Sequence, residues 1–284
     1  VITLVGRRGN VRFTAGDARL LAAIASQVGS ALETQRLVQE SLSQERLMRE
    51  LELAHDLQLK LLPDTTPFAG GVSARVVPAE SVGGDFYHLF RLSGDRLGVI
   101  IGDVSSHGFS AALIMALTMS AVAIYGQEAS PPREVLRRVH AALAKELETT
   151  EMYLSLFYGV LDPAAGRLTY SNAGHPHAFV IRRDGEPIRL PATSLPLGIL
   201  PLGGAYGEEA VEWHGGDDLL CLFTDGLCDV FTHPGQVGEA VVIGEVARLR
   251  AAALDEILDR VFSLAAEAHT DIPPDDRTAV LVRV

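Results

Sequence analysis

Nine strand-like runs occupy the part of this 284-residue chain after residue 67, and twice a pair of helical patterns stands between them. The runs are Val72–Val77, Phe86–Arg91, Leu97–Asp103, Tyr153–Leu161, Leu168–Asn172, Ala178–Ile181, Ala210–Trp213, Leu219–Thr224 and Thr278–Val284. Ser110–Tyr125 and Pro132–Leu147 follow one another before the fourth run, and Glu239–Ala252 and Leu254–His269 before the last. A βαβ winding would interleave single helices with the strands. Consecutive helix pairs instead predict an α+β fold: a four-layer αββα sandwich, two antiparallel sheets face to face with a helix pair outside each. Asp162-Pro163-Ala164-Ala165-Gly166 has the composition of a hairpin turn between the fourth and fifth runs.

The preceding residues read differently. A short strand-turn-strand pattern (Ile2 to Val5, Arg7-Arg8-Gly9-Asn10, Val11 to Phe13) leads into a stretch without Pro from Asp17 to Leu62. Thr14 or Gly16-Asp17 would cap a helix there, and Leu20, Leu21, Ile24, Val28, Ala31 and Leu32 repeat at helical spacing. Leu47, Leu51, Ala54, Gln58 and Leu61 then alternate in steps of four and three. That is an a/d seam with one polar member, suited to a parallel coiled coil and hence a homodimer, with Gln58 fixing register. A single amphipathic helix packed on its own domain would give the same letters. Pro63 and Pro67 end the helix. The expected organisation is a first segment over 1–38, a helical linker over 39–67 and a large domain over 68–284.

The formal charge of −12 argues against nucleic acid as a partner, since a phosphate backbone would be repelled. Cys221 and Cys228 are the only cysteines, which indicates no disulfide framework and fits a reducing cytoplasm. No apolar run is long enough to span a bilayer, and no signal peptide is evident. The opening in mid-strand at Val1 reads as a piece of a longer polypeptide.

Chemistry is concentrated in Asp-rich stretches at strand ends: Gly83-Gly84-Asp85-Phe86-Tyr87, Gly102-Asp103-Val104-Ser105-Ser106-His107-Gly108, Thr224-Asp225-Gly226 and Asp275-Asp276-Arg277-Thr278. Four carboxylates converge on one point only if cations sit between them, and hard oxygen ligands point to Mg²⁺ or Mn²⁺ rather than zinc. Other mechanisms fail on the letters. A cysteine phosphatase needs Arg six residues after its thiolate, and those positions hold Leu227 and Pro234. There is no G-x-x-x-x-G-K-[ST] loop and no G-x-S-x-G elbow. His175 and His177, with Pro176 between them and no Cys nearby in sequence, read as a structural loop rather than a zinc site. Both cysteines read as bystanders, with Cys221 a small buried hydrophobe.

These stretches, with Asn172-Ala173-Gly174-His175-Pro176, occur in the order and approximate spacing of the SpoIIE/RsbU-type bacterial serine/threonine phosphatases, which the chain resembles over residues 50–284. That family belongs to the metal-dependent phosphatase class together with eukaryotic protein phosphatase type 2C. Phe13 to Leu37 resembles the last strand and closing helix of a GAF sensor domain, which would make 1–38 a remnant of one. The resemblance implies two ions, Mn²⁺ or Mg²⁺, with Asp85 bridging, Asp103 and the Val104 carbonyl binding one, and Asp225 and Asp275 completing the set. Asp276, a further candidate ligand, is expected to sit beside the site or to cap the last strand, and could exchange roles with Asp275. It implies in-line attack on phosphorus by a water bridging the ions, and a substrate phosphoserine or phosphothreonine on a STAS-domain anti-sigma factor antagonist, hence a place in sigma factor regulation. His107 is expected to pack or hydrogen-bond behind the site rather than to ligate metal. The chain departs from its relatives at His88, Ser106 and Asp229, and carries no Arg just before Asp85. The rivals are a catalytically silent binding module of the same fold and a metal-dependent nuclease, the latter disfavoured by the charge.

Overall fold

A computed structural model describes residues 13–68, 70–128, 130–183, 187–199, 203–231, 237–268 and 275–284. The strand-turn-strand pattern expected from Ile2 lies outside them, save Phe13. The chain resolves into two units, residues 1–53 and 54–284.

One helix, α1 (Ala15–Leu61), follows from the Pro-free stretch. Its start is a capping box: the Asp17 N–H donates to the Thr14 hydroxyl at 3.3 Å, and the Thr14 N–H returns to the Asp17 carboxylate at 2.7 Å. In the first unit Leu20, Ile24, Val28 and Leu32 stay 44–63% exposed, so their apolar repeat is not spent on a core among the described residues. Gln58 corrects the expected seam. It is buried, its Nε2 donating to the Gly83 carbonyl at 2.5 Å and its Oε1 accepting the Gly83 N–H at 3.1 Å. A side chain spent on its own chain does not fix register between two helices.

The second unit is the four-layer sandwich. One sheet orders β1 (Val72–Val77), β10 (Arg277–Val282), β9 (Leu219–Phe223), β6 (His177–Ile181) and β7 (Ile188–Arg189). The other orders β2 (Phe86–Leu92), β3 (Arg96–Val104), β4 (Leu154–Asp162), β5 (Arg167–Ala173) and β8 (Glu209–Glu212). Every pairing between these strands is antiparallel. Helices α2 (Phe109–Tyr125) and α3 (Pro132–Thr150) cover the second sheet, and α4 (Gly238–Arg248) and α5 (Leu254–Glu267) cover the first. The helix expected over 239–252 thus stops at Arg248, and β7 is a two-residue edge strand absent from the sequence reading.

The two-residue period of a strand explains the layering. In β9, Leu219, Cys221 and Phe223 face the α4–α5 layer, while Leu220 and Leu222 join Val99, Ile101, Phe157 and Val280 between the sheets. Both faces are covered, so the strand reads as an unbroken apolar run. Burial pushes the Cys221 thiol up to about 12, leaving it a small apolar filler. Cys221→Ala is expected to cost about 1 kcal/mol in urea unfolding through the space it vacates, with no change at the carboxylate site some residues further along the strand. Among the described residues no helix is long and apolar enough to cross a membrane.

Candidate metal centre

Antiparallel pairing brings the Asp-rich strand ends together. Phe86 pairs with Gly102, which places Asp85, just before β2, beside Asp103 near the end of β3. Phe223 pairs with Ala279, and the Thr224 N–H donates to the Thr278 carbonyl at 3.0 Å, which brings Asp225 to Asp275-Asp276. Asp103, Asp225 and Asp275, with Val104, line a cleft of about 400 Å³. Asp85 lies beneath it, 3% exposed, and accepts the Thr224 hydroxyl at 2.6 Å. That same hydroxyl receives the Thr278 N–H at 2.9 Å, so one Thr joins both sheets under the acids. The two Thr were visible in the motifs, but the letters gave no sign of this role.

The electrostatics are those of crowded acids. Burial, then the charges of Asp103 and Asp276, hold Asp85 well above the usual carboxylate range. Burial, then Asp225, Asp275 and Asp276, push Asp103 up to about 8, against a hydrogen bond with Asp85. Burial and Asp275 raise Asp225, while the Gly226 N–H opposes. No Lys or Arg is among the described residues lining the cleft. In Asp225 and Asp275 one oxygen accepts the next residue's amide, Gly226 N–H at 2.9 Å and Asp276 N–H at 2.8 Å, which fixes each rotamer and leaves the second oxygen available. Among the described residues no three His, Cys, Asp or Glu side chains close tightly enough to cage an ion alone. Crowded carboxylate oxygens that do not close into a cage would suit divalent cations that keep several water ligands, as Mg²⁺ and Mn²⁺ do.

The Val104 carbonyl borders the cleft and accepts the Ser106 N–H at 2.6 Å, which leaves it a second lone pair. Asp276 does not line the cleft. Its Oδ1 accepts the Ala79 N–H at 2.8 Å, and its Oδ2 the amides of Gly84 at 2.7 Å and Asp85 at 3.4 Å. The carboxylate holds the loop that presents Asp85, with Oδ2 shared between two amides and Oδ1 bonded to one. A Cβ at Gly83 would collide with this carboxylate, and one at Gly226 with the Asp276 carbonyl, so both glycines are fixed by close approach.

Three histidines depart from or refine the sequence reading. His107 does not pack behind the site. Its side chain is 81% exposed at the cleft edge, 3.4 Å from Glu80. His175 forms the expected turn, its N–H donating to Asn172 Oδ1 at 2.8 Å while Asn172 Nδ2 donates to the His175 carbonyl at 2.9 Å. Burial lowers its imidazole to about 3, so it is neutral. His177 has a cysteine partner after all, Cys228 Sγ at 3.3 Å from Nε2, drawn from 51 residues away.

A sequence profile of the family described as Stage II sporulation protein E (SpoIIE) matches residues 93–284. Among curated relatives the chain is 29% identical over 263 residues to Protein IcfG of Synechocystis sp., an alignment covering 82% of this chain and 41% of that protein. It is 24% identical over 244 residues to phosphoserine phosphatase RsbU of Bacillus subtilis, covering 84% and 71%. The chain thus spans less than half the length of IcfG. Among solved structures, the SiaA-PP2C domain of Pseudomonas aeruginosa shares the fold with a TM-score of 0.72 at 20% identity, over 85% of this chain and 98% of that one.

Proposed function

The chain belongs to the SpoIIE family, and from that premise we propose that it is a metal-dependent protein serine/threonine phosphatase. The observation that carries this is the convergence of raised acids, Asp103 and Asp225 lining a cleft and Asp85 buried beneath it, with no Lys or Arg among the described residues of the lining. Asp85, Asp103, Asp225 and Asp275, with the Val104 carbonyl, would hold two ions, Mn²⁺ or Mg²⁺. When bound, such ions neutralise the carboxylates, activate water and stabilise charge on a phosphoryl group. The protein's part is placement. Thr224 fixes the Asp85 carboxylate, the amides of Gly226 and Asp276 orient Asp225 and Asp275, and the Ser105 hydroxyl, accepting the Tyr153 N–H at 2.9 Å, ties the loop after Asp103 to β4.

The substrate we propose is a phosphoserine or phosphothreonine on a regulatory protein. RsbU, similar over 84% of this chain, is itself a phosphoserine phosphatase, and the family resemblance points to a STAS-domain anti-sigma factor antagonist. A cleft without Arg offers a small phosphoester little purchase beyond the cations, which favours a substrate held by protein contacts. Hydrolysis of p-nitrophenyl phosphate should appear with millimolar Mn²⁺ or Mg²⁺ and vanish with chelator. Full activity in excess chelator would overturn the reading.

We further assign residues 1–38 to the end of a GAF-like sensor and 39–67 to a linker that pairs two copies in parallel. Leu47 and Leu61, 56% and 43% exposed, are available for such a seam. Leu51→Glu with Leu61→Glu should turn a dimer into a monomer in sedimentation velocity. A monomer both with and without the changes would leave the helix a tether only.

A further inference from the structure

His177 touches both flanks of the turn that carries Asp225. Its ring lies flat on Phe223, centroids 4.6 Å apart and planes 2° from parallel, just before Thr224. Its Nε2 stands 3.3 Å from the Sγ of Cys228, just after the turn. Cys228 in turn donates its backbone N–H to the Asp225 carbonyl at 2.8 Å, closing the 3-10 turn Asp225–Leu227. Behind the ring, Nδ1 lies 2.7 Å from Glu239 Oε2, in the first turn of α4, and the Arg189 guanidinium bonds the other Glu239 oxygen. Arg189 is itself seated by the Pro176 carbonyl at 2.7 Å and by the face of Phe179 at 4.7 Å.

The donor and acceptor inventory allows one neutral arrangement. A carboxylate only accepts, so Nδ1 carries the ring proton and Nε2 presents a lone pair. The thiol S–H is then the donor to Nε2, 3.3 Å away. Arg189, Glu239, His177 and Cys228 form a chain of hydrogen bonds in which each group has one role. It links β7, α4, β6 and the turn after β9.

We propose that His177, held by Glu239 and bonded to Cys228, is a positioning residue for Asp225. It fixes the turn from its far side, as Thr224 fixes it from the near side. The inference rests on the reading of Asp225 as a metal ligand. Asp225 bears one of the crowded charges and a single turn sets where its second oxygen points, so loss of the far anchor lets the carboxylate swing away from its neighbours. The consequence falls on cation affinity before it falls on chemistry.

The test is calorimetric titration of the metal-free chain with Mn²⁺, which needs no turnover. Cys228→Ala and His177→Phe, the latter keeping the stacked ring, should each weaken Mn²⁺ binding about 5- to 20-fold. Cys228→Ser keeps a donor and should remain within about twofold of the parent. Cys221→Ala, an equal sulfur deletion on the same helix-facing side but within β9 rather than beside the turn, should bind Mn²⁺ as the parent does while losing stability. Long-range ¹⁵N–¹H spectra should show His177 protonated at Nδ1, with Glu239→Gln disturbing that tautomer. Parent-like Mn²⁺ affinity in Cys228→Ala overturns the proposal. So does an equal weakening in Cys221→Ala, or a ring protonated at Nε2. A parent chain that binds no Mn²⁺ overturns the metal reading itself, and the proposal with it.

Discussion

Asp85→Asn is expected to lower turnover by at least about 10³-fold, roughly 4 kcal/mol of transition-state stabilisation, while making the metal-free protein more stable. The two effects have one origin. Asp85 is buried next to Asp103 and Asp276, and burial with their charge holds its pKa well above the ordinary value. With cations present that charge is what binds them. Without cations it is a cost to the folded state. The amide keeps an oxygen to accept the Thr224 hydroxyl, so packing is retained and only the charge goes. The gain should be on the order of 1 kcal/mol or more, a few degrees in Tm.

The pH dependence has a definite sign. Asp85 and Asp103 have folded pKa values above the unfolded value of about 3.9. Their contribution to stability is therefore fully present below that unfolded value and is lost as pH rises through the folded one, about 8 for Asp103. In chelator, parent and Asp85→Asn should unfold at similar temperatures near pH 5 and diverge towards pH 8, the variant being the more stable. Thermal unfolding at the two pH values in chelator, beside turnover in Mn²⁺, reads both effects. A variant that is active, or equally stable at pH 8, would remove Asp85 from the crowded set.

The particular residues show what the letters carried and what they withheld. The sandwich was legible because β3, β4 and β9 are covered on both faces and read as apolar runs, and because helix pairs separate them. The two-residue β7 was not, since Ile188 and Arg189 are held by edge pairing with β6 rather than by any pattern of their own. The Asp-Gly punctuation marked Asp85, Asp103, Asp225 and Asp275, which the antiparallel register gathers at one end of both sheets. It did not separate Asp275 from Asp276. Neighbouring residues at a strand start face opposite ways, but which one faces the cleft depends on the loop at Ala79 to Asp85, nearly 200 residues away. Gln58 fitted a helix seam as one polar letter among leucines, and only its bonds to Gly83 show that it serves its own chain. The Cys228–His177 contact joins residues that no local pattern relates.

Asp276→Ala is expected to be the most damaging single change to the fold around the site, about 2–4 kcal/mol, because it strips the acceptor from three backbone donors at once. The Ala79, Gly84 and Asp85 amides all point at this carboxylate, and a buried N–H without a partner costs its full desolvation. Gly83 lies so close that no larger residue could stand there, which means the loop is moulded on the acid, with the Gln58 amide at Gly83 as its other anchor. Asp276→Asn is the sharper probe. Its shape is conserved, but its Nδ2 would meet an amide N–H, donor against donor, so it should cost about 1–3 kcal/mol. Asp85 is carried by the loosened loop, so turnover should fall with stability even at temperatures where the variant is folded. Amide exchange at Gly84 and Asp85 should quicken by at least about tenfold in the Asn variant while exchange in β4, at the centre of its sheet, changes only with global stability. Asp276 would have to be returned to the metal ligands if the Asn variant kept slow exchange at both amides and parent-like stability in chelator yet lost Mn²⁺ binding.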